Sequence, residues 1–487
     1  MSRSSLDHRR ATPVALRLGL AALLAAATAC GHVRPEAAFP GVRDAVVARL
    51  DQRVHWRRGT AEDAAVDAAV DDLLAQPLDV DAAVQVALLR NPSLQATYED
   101  LGVAQADLVQ AGLLRNPVLT GAFRFPDRSP SGTNIEMDLA QEFVNLVFLP
   151  ARTRIAAAQV VEVQHRVAAE VLDLAAEVRA AYWDLVAAHN TVAVLRTVAE
   201  VADVSRALTE RLHEAGNVSE LQLASETALA TELELEVARA EAEIAPARER
   251  LGRLLGVGAG GGWSVPAQLP AVPEAEPDLP ALEEAAYTQR PDLLAVQQEV
   301  AVLRDALGLQ QVTRWFPIAD VGVAVEHERE GTWLVGPSLS LVLPIFDQGN
   351  AERGRLESQL RQSEARLAAR GLDVRAEVGA ARARVASARA IAGRYRTALL
   401  PLRARVVALS IEHYNYMLLG PLALLQAKQA EVEALRGYIE AVRDFWLART
   451  ALERALAARL PVAVAAAPAT DGAPAADAHR HHHHGGH

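Results

Sequence analysis

Between Ala151 and Ala215 lie 65 consecutive residues with neither glycine nor proline. As one helix at about 1.5 Å per residue, such a stretch would reach on the order of 100 Å. Ordinary helices in globular proteins average about 11–12 residues. A compact globule has no use for a rod of that length, so it must belong to a coiled coil or a helical tube. Val160, Val161, Val163 and Val167, followed by Val171, Leu172 and Leu174, spread over broad faces. A two-stranded zipper needs only a narrow stripe, whereas a tube wall with neighbours on two sides needs this breadth. Alanine fills 98 of the 487 positions and aromatics only 4%, a composition suited to long helices that pack closely.

The chain reads as a duplication. The run from Ala87 to Ala96, with Asn91-Pro92 inside it, matches Ala286 to Ala295, with Arg290-Pro291 inside it. Pro117 follows Pro92 by 25 residues and Pro317 follows Pro291 by 26. Leu149-Pro150 and Leu343-Pro344 each end a strand-like stretch and open a helix-like one, giving a period of about 195 to 200 residues. Each half then has the order helix, two strands, very long helix, turn, long helix. The repeats are placed at 81–256 and 281–460, joined by a Gly/Pro-rich connector at 257–280. Residues 30–80 form an N-terminal segment, and 461–487 an Ala/Pro-rich tail expected to be disordered. The second long helix, from about Asn350 to Leu400, carries Gly354, Gly371, Gly379 and Gly393. It is expected to be looser than the first and kinked at Pro401.

The N-terminus reads as an export signal over residues 1–29. Arg9, Arg10 and Arg17 precede the apolar run Leu18 to Ala29, which is shorter than the roughly 20 residues that span a bilayer. Ala27-Thr28-Ala29-Cys30 resembles a bacterial lipobox, with Ala27 where leucine is usual; lipidated Cys30 would become the new N-terminus. The alternative is an ordinary signal peptide cut near Ala29. Cys30 is the single cysteine, so an internal disulfide is excluded. No later segment offers about 20 uninterrupted apolar residues, so a membrane crossing would have to use strands. With 49 basic and 61 acidic side chains, the net charge of −12 argues against a nucleic-acid binder.

Four strands carry the membrane reading: Val118 to Phe125, Ile135 to Phe143, and two beginning near Ala319 and before Ser338. Ile135, Met137, Leu139 and Phe143 alternate with Glu136, Asp138, Ala140 and Glu142. Val321, Val323 and Val325 alternate with Asp320, Gly322, Ala324 and Glu326, and Leu339, Leu341 and Leu343 alternate with Ser338, Ser340 and Val342. One apolar and one polar face at period 2 suits a barrel strand with lipid outside and water inside, and equally any half-buried sheet. A closed barrel needs about eight strands. Three chains supplying four strands each would make twelve, so the membrane reading requires a trimer.

The mature chain resembles the outer-membrane efflux proteins, the TolC-like exit ducts of tripartite pumps in Gram-negative bacteria. The resemblance rests on the duplication, the lipobox, and the runs Gln110 to Pro117 and Trp315-Phe316-Pro317. It implies a mainly α fold with a small transmembrane β part: a homotrimer with a twelve-stranded barrel in the outer membrane and a long α-helical barrel in the periplasm. Cys30 lipid would tether the N-terminus to the outer membrane. The resemblance also implies two partners, a periplasmic adaptor (membrane fusion) protein and an inner-membrane transporter of the resistance-nodulation-division type.

Two helix tips are the candidate working ends. One turns through Gly216, Asn217, Val218 and Ser219, the other through Met417, Leu418, Leu419 and Gly420. Gly216 suits a helix C-terminal position with positive φ, and Ser219 suits the cap of the next helix. A plain helical hairpin would look the same. In the family, such tips meet the adaptor and form the closed aperture. Met417, Leu418 and Leu419 beside a turn are an apolar patch, and Glu214 and Glu412 are placed for an acidic ring or a merely solvated face. The tail residues His479, His481, His482, His483, His484 and His487 are candidate ligands for Zn, Cu, Ni or Co. Together with the resemblance of Gln110 to Pro117 and Asn415 to Leu425 to heavy-metal members, they suggest metal cargo; other cargo, a tag remnant and an unselected tail stay open.

No catalytic motif survives inspection. Gly256 to Gly261 satisfies a dinucleotide pattern but follows a helix and runs into Pro266, where a strand before and a helix after are required. The chain therefore reads as a passive, non-enzymatic duct with no cofactor beyond the Cys30 lipid. The alternative is a periplasmic coiled-coil lipoprotein, adaptor or structural, without a pore.

Overall fold

The structure is a computed structural model that describes residues 33–125, 127, 132–142, 144–258, 262–274, 280–314, 319–416 and 418–460. The export signal, Cys30, Phe143, Trp315 to Pro317, Met417 and the histidine tail lie outside the described residues. A 3-10 turn, Pro35–Ala38, leads into α1 (Phe39–Leu50), α2 (Ala61–Leu74), α3 (Val80–Arg90) and α4 (Pro92–Ala111). Then come β1 (Val118–Arg124), β2 (Asn134–Glu142), α5 (Val144–Glu214) and α6 (Glu220–Leu255). The same order returns as α7 (Pro280–Gln289), α8 (Pro291–Thr313), β3 (Ala319–His327) and β4 (Trp333–Leu341). It continues as α9 (Asn350–Arg394), a π-turn (Tyr395–Leu399), α10 (Leu400–Asn415) and α11 (Pro421–Leu456).

Helix α5 is a single rod of 71 residues and the spine of the molecule. It packs against α1, α3 and α4 on one side and against α6, α8 and α11 elsewhere. Val160, Val163, Val167, Val171, Val178 and Leu185 form its buried face. Trp183 on α5 stacks on Trp446 of α11 with centroids 4.9 Å apart, locking the two repeats together at mid-height. Some helices start where side chains supply caps: Asp79 accepts from the backbone N–H of Ala82, and Ser219 from that of Gln222. Asn91, with Pro92 at the first helical position, accepts from Leu94 N–H.

Several boundaries differ from the sequence reading. Helix α5 begins at Val144, six residues before Pro150, which therefore lies inside its opening turns rather than at its start. Strand β4 ends at Leu341, so Leu343 and Pro344 fall in an irregular stretch, and α9 begins only after Gly349 turns with φ +72°. Residues 33–80 are more than a tether: Val42, Val46, Val70 and Leu78 are fully buried in the main core. The connector is also strapped down. Leu78 donates its backbone N–H to Ser264 at 2.8 Å, the Trp446 indole donates to Pro270 O at 3.0 Å, and Trp263 is 2% exposed beneath the Arg248 guanidinium. Within the connector, Trp263 and Pro270 make two of these contacts.

The break near Pro401 takes the form of the π-turn. Proline has no N–H, and its ring crowds the carbonyl four residues earlier. The chain responds by widening one turn, so that Leu400 N–H bonds to Tyr395 O. No helix among the described residues is long and apolar enough to cross a membrane. The four strands form one antiparallel sheet in the order β1-β2-β3-β4, bringing together strands from both repeats.

Candidate functional site: the strand sheet and the helix tips

Residues directly opposite one another in a sheet share a face, so the register decides what each face presents. Leu119 pairs with Leu139, Leu139 with Val323, and Val323 with Pro337; Met137 pairs with Val325, and Val325 with Val335. This face is mainly apolar on all four strands, with Gln141 and His327 at its margins, and is exposed on the single chain, with Leu119 67%, Val335 68% and Leu339 67% accessible. The opposite face carries Thr120, Glu136, Asp138, Glu142, Asp320, Glu326, Ser338 and Ser340, aligned by the same pairings. Arg124 bonds Glu136 at 2.9 Å, Asn134 donates to Glu326 at 2.9 Å, and Arg115 reaches Glu142 at 2.9 Å. Ser338 donates to Asp138 at 2.5 Å, passing over β3 where Gly322 leaves room. A Cβ at position 322 would lie 2.5 Å from Leu139 O and 2.6 Å from Ser338 Oγ, so this strand glycine is a steric requirement. Among the described residues, the five carboxylates of this face form ion pairs with Arg124 and the flanking Arg115 alone, leaving the polar face acidic.

At the far end of the rods, α5 closes with Gly216 at φ +77°. Asn217 N–H bonds to Leu212 O and Gly216 N–H to His213 O, both at 2.8 Å, the double bond pattern of a Schellman end. The His213 ring, through Nδ1, meets Val218 O at 3.0 Å. The second tip repeats the first bond, Leu418 N–H to His413 O at 2.9 Å. Gly420 there is extended, at φ −79°, and stands before Pro421. Leu221, Leu418 and Tyr416 are each 70% exposed or more, whereas Leu419 is half-buried. Glu214 and Glu412 sit exposed in the last turns of α5 and α10.

The structure joins the two tips through residues the sequence reading did not single out. Gln222 on α6 donates its side-chain amide to the Tyr414 hydroxyl on α10. Glu226 is 9% exposed, accepts from Ser205 Oγ at 2.9 Å, and faces Lys428 of α11 at 3.9 Å. Gln429 donates to Glu232 at 3.1 Å. Beneath these links lies a small apolar cluster of Ala202, Leu229, Ala230 and Leu233. The available signal was Lys428 itself, the chain's single lysine, together with a glutamate on the inward face of α6.

A second polar cluster ties α9 to the middle of the molecule. Arg290 is 6% exposed and donates to Asp292 at 2.6 Å, to Glu377 at 2.7 Å and to Ala455 O at 3.0 Å. Arg370 adds a second guanidinium to Asp292. Burial opposes ionisation of Asp292, but the two arginines prevail and hold it below the usual aspartate range. Nearby, burial drives Glu453 above the usual glutamate range despite Arg179 and Arg449. Among the described residues, no group of three or more His, Cys, Asp or Glu is placed to hold a metal ion.

No protein-family model matches the chain. The cobalt-zinc-cadmium resistance protein CzcC of Cupriavidus metallidurans is 23% identical over 296 residues, 60% of this chain and 68% of that one. Among solved structures, a membrane protein from Pseudomonas aeruginosa superposes with a TM-score of 0.67 at 22% identity, over 77% of this chain and 92% of the other. The outer-membrane protein VceC of Vibrio cholerae superposes with a TM-score of 0.66 at 16% identity, over 78% and 96%. The chain has the fold of the outer-membrane efflux channels, the family its sequence resembles.

Proposed function

We propose that this chain is the outer-membrane exit duct of a tripartite efflux pump. Three copies would close a twelve-stranded barrel, with the α5–α6 and α9–α11 rods forming the periplasmic tube. The observation that carries the reading is the sheet register: four strands from two distant segments gather most of their apolar residues on one face and all five carboxylates on the other. A lipid-facing outside and a water-filled inside require that separation. Transport through such a duct is passive, with energy supplied by an inner-membrane transporter that couples through a periplasmic adaptor.

Gating falls to the tips. The Gln222–Tyr414 and Glu226–Lys428 links hold the α10–α11 hairpin against the α5–α6 hairpin, and docking of the adaptor on the exposed Leu221, Tyr416 and Leu418 would release them. The name of the Cupriavidus relative and the acidic inner face of the sheet both favour metal cations as cargo. In this reading Cys30 carries the anchoring lipid, and His479, His481 to His484 and His487 bind the metal near the duct.

The test is single-channel conductance of the detergent-purified protein in a planar bilayer, with its mass measured on the same sample. Discrete openings from a trimer are the expected result; a monomer that never conducts would leave a coiled-coil lipoprotein instead.

A further inference from the structure

The two rods of the tube are built differently. Helix α5 runs unbroken from Val144 to Glu214, whereas its counterpart is divided by the Tyr395–Leu399 π-turn and Pro401. We infer that residues 393–401 are a hinge about which the tip-bearing α10 swings, an addition to the exit-duct reading that names where its gate bends.

Both sides of the break support this. Above it, α9 is fixed to the body of the molecule. Val374, Val378, Ala381, Val385 and Ala392 are buried, and Arg370 and Arg382 pair with Asp292 and Glu283 of α8 and α7. Below it, α10 has no buried residue in its 16 positions, and Leu402, Val406 and Leu409 are exposed. A segment anchored in the core thus meets one held only along α11 and, at its tip, through Tyr414, at the point where Pro401 interrupts the helical hydrogen-bond ladder. Pro401 donates nothing, and Thr397 bonds its hydroxyl back to Gly393 O at 2.8 Å, a pattern that bends helices.

The pivot is supplied by the neighbouring helix. The Tyr395 ring lies over Gly437 of α11, where a Cβ would come within 2.6 Å of its hydroxyl. Beside this contact is a cavity of about 280 Å³ lined by Ala392, Gly393, Arg396, Val272, Pro273 and Tyr438. It gives the Arg396 and Tyr438 side chains room to move as the helix bends. A swing of α10 carries Tyr414 away from Gln222, so the hinge and the tip link are two parts of one device.

Spin-label distances test the hinge directly in a Cys30→Ser background, with labelled chains diluted among unlabelled ones. Labels at Ala380→Cys and Ala408→Cys flank the π-turn, while Glu177→Cys and Val204→Cys report a similar span on unbroken α5. The distance distribution across the π-turn should be at least twice as broad, and Pro401→Ala should narrow it to the width seen on α5. Gly437→Ala, which pushes on Tyr395 without touching the helix ladder, should shift the mean distance. Equal widths on the two rods, or a broad distribution that Pro401→Ala leaves unchanged, would overturn the hinge. Conductance on the same samples separates this outcome from failure of the duct reading, since a conducting trimer with two equally stiff rods loses only the hinge.

Discussion

Asn91 donates its side-chain amide to the carbonyl oxygen of Leu254 at 2.7 Å. Its counterpart in the second repeat, Arg290, donates its guanidinium to the carbonyl oxygen of Ala455 at 3.0 Å. In both repeats the residue before the helix-opening proline therefore grips the last turn of that repeat's final helix, by different chemistry. The residues that follow end those helices in the left-handed region, Gly256 at φ +70° and Ala457 at φ +50°.

A methyl group is unfavourable at both of these paired ends, so adding one and removing one should shift stability in opposite directions. A Cβ at Gly256 would lie 2.7 Å from Arg90 O, so Gly256→Ala combines a backbone clash with an unfavourable φ. It should destabilise by about 2 kcal/mol or more, whereas Ala457→Gly should stabilise by up to about 1 kcal/mol. Thermal melts of the two variants, read by circular dichroism, check the signs. Similar shifts for both would contradict the assigned conformations.

The Arg290–Asp292–Arg370 cluster makes the attachment of α9 pH-dependent. The folded pKa of Asp292 is depressed, so its contribution is fully present above the unfolded aspartate value, about 3.9. It is lost as pH falls through the lower folded value. Asp292→Asn should cost about 3 kcal/mol at neutral pH by leaving two guanidiniums under-paired, and it should flatten the acid limb of the stability curve. Melting temperatures of both proteins from pH 3 to 7 would expose an unchanged limb if the cluster were idle.

Much of this architecture was readable because periodicity survives in a single sequence: the glycine-free rod, the repeat around Pro92 and Pro291, and the alternation from Ile135 to Leu139 all mark their elements. What was not readable depended on pairing between distant residues. Nothing near Glu226 says that it meets Lys428 some 200 positions away, and nothing near Gln222 points to Tyr414. The contacts that hold the 257–280 connector through Trp263 and Pro270 were likewise not legible, because composition does not encode them. Pro150 reads as a helix start because proline favours the first position, yet α5 continues through it from Val144 and gives up one ladder hydrogen bond there.

On the proposed exit-duct reading, loosening the tip should open the channel. Tyr414→Phe removes the hydroxyl that accepts from Gln222, and Glu226→Gln removes the partner of Lys428 while keeping an acceptor for Ser205. Each should raise open probability in planar bilayers several-fold without altering trimer mass, and the double variant should exceed either. Openings no more frequent than in the unaltered protein would remove these links from the gate.

Sheet geometry makes Gly322 a separate test. Gly322→Val places a branched side chain within reach of Leu139 O and Ser338 Oγ, so β3 must part from β2 or β4. The rods have their own core around Trp183 and Trp446, and should stay helical by circular dichroism. Outer-membrane insertion, measured by fractionation, should fall at least tenfold. Normal insertion would mean that the strands do not meet in this register.

The last test concerns the acidic face. Glu136, Asp138, Glu142, Asp320 and Glu326 share one face of the sheet with Arg124, so three copies would surround the lumen with a strong excess of negative charge. Within a Debye length of about 8–10 Å at ordinary salt, such a lining enriches cations and excludes anions. Reversal potentials under a potassium chloride gradient should therefore show cation preference, deepening as the salt is diluted. Asp138→Asn with Glu326→Gln should reduce that preference several-fold while leaving conductance measurable, because Ser338 and Asn134 can still bond the amides. The same pair placed on the outer face, Leu139→Asn with Val335→Gln, should instead impair insertion and leave the selectivity of any inserted channels unchanged. If the outer pair altered selectivity and the inner pair did not, the faces would be inverted and the barrel reading would fall.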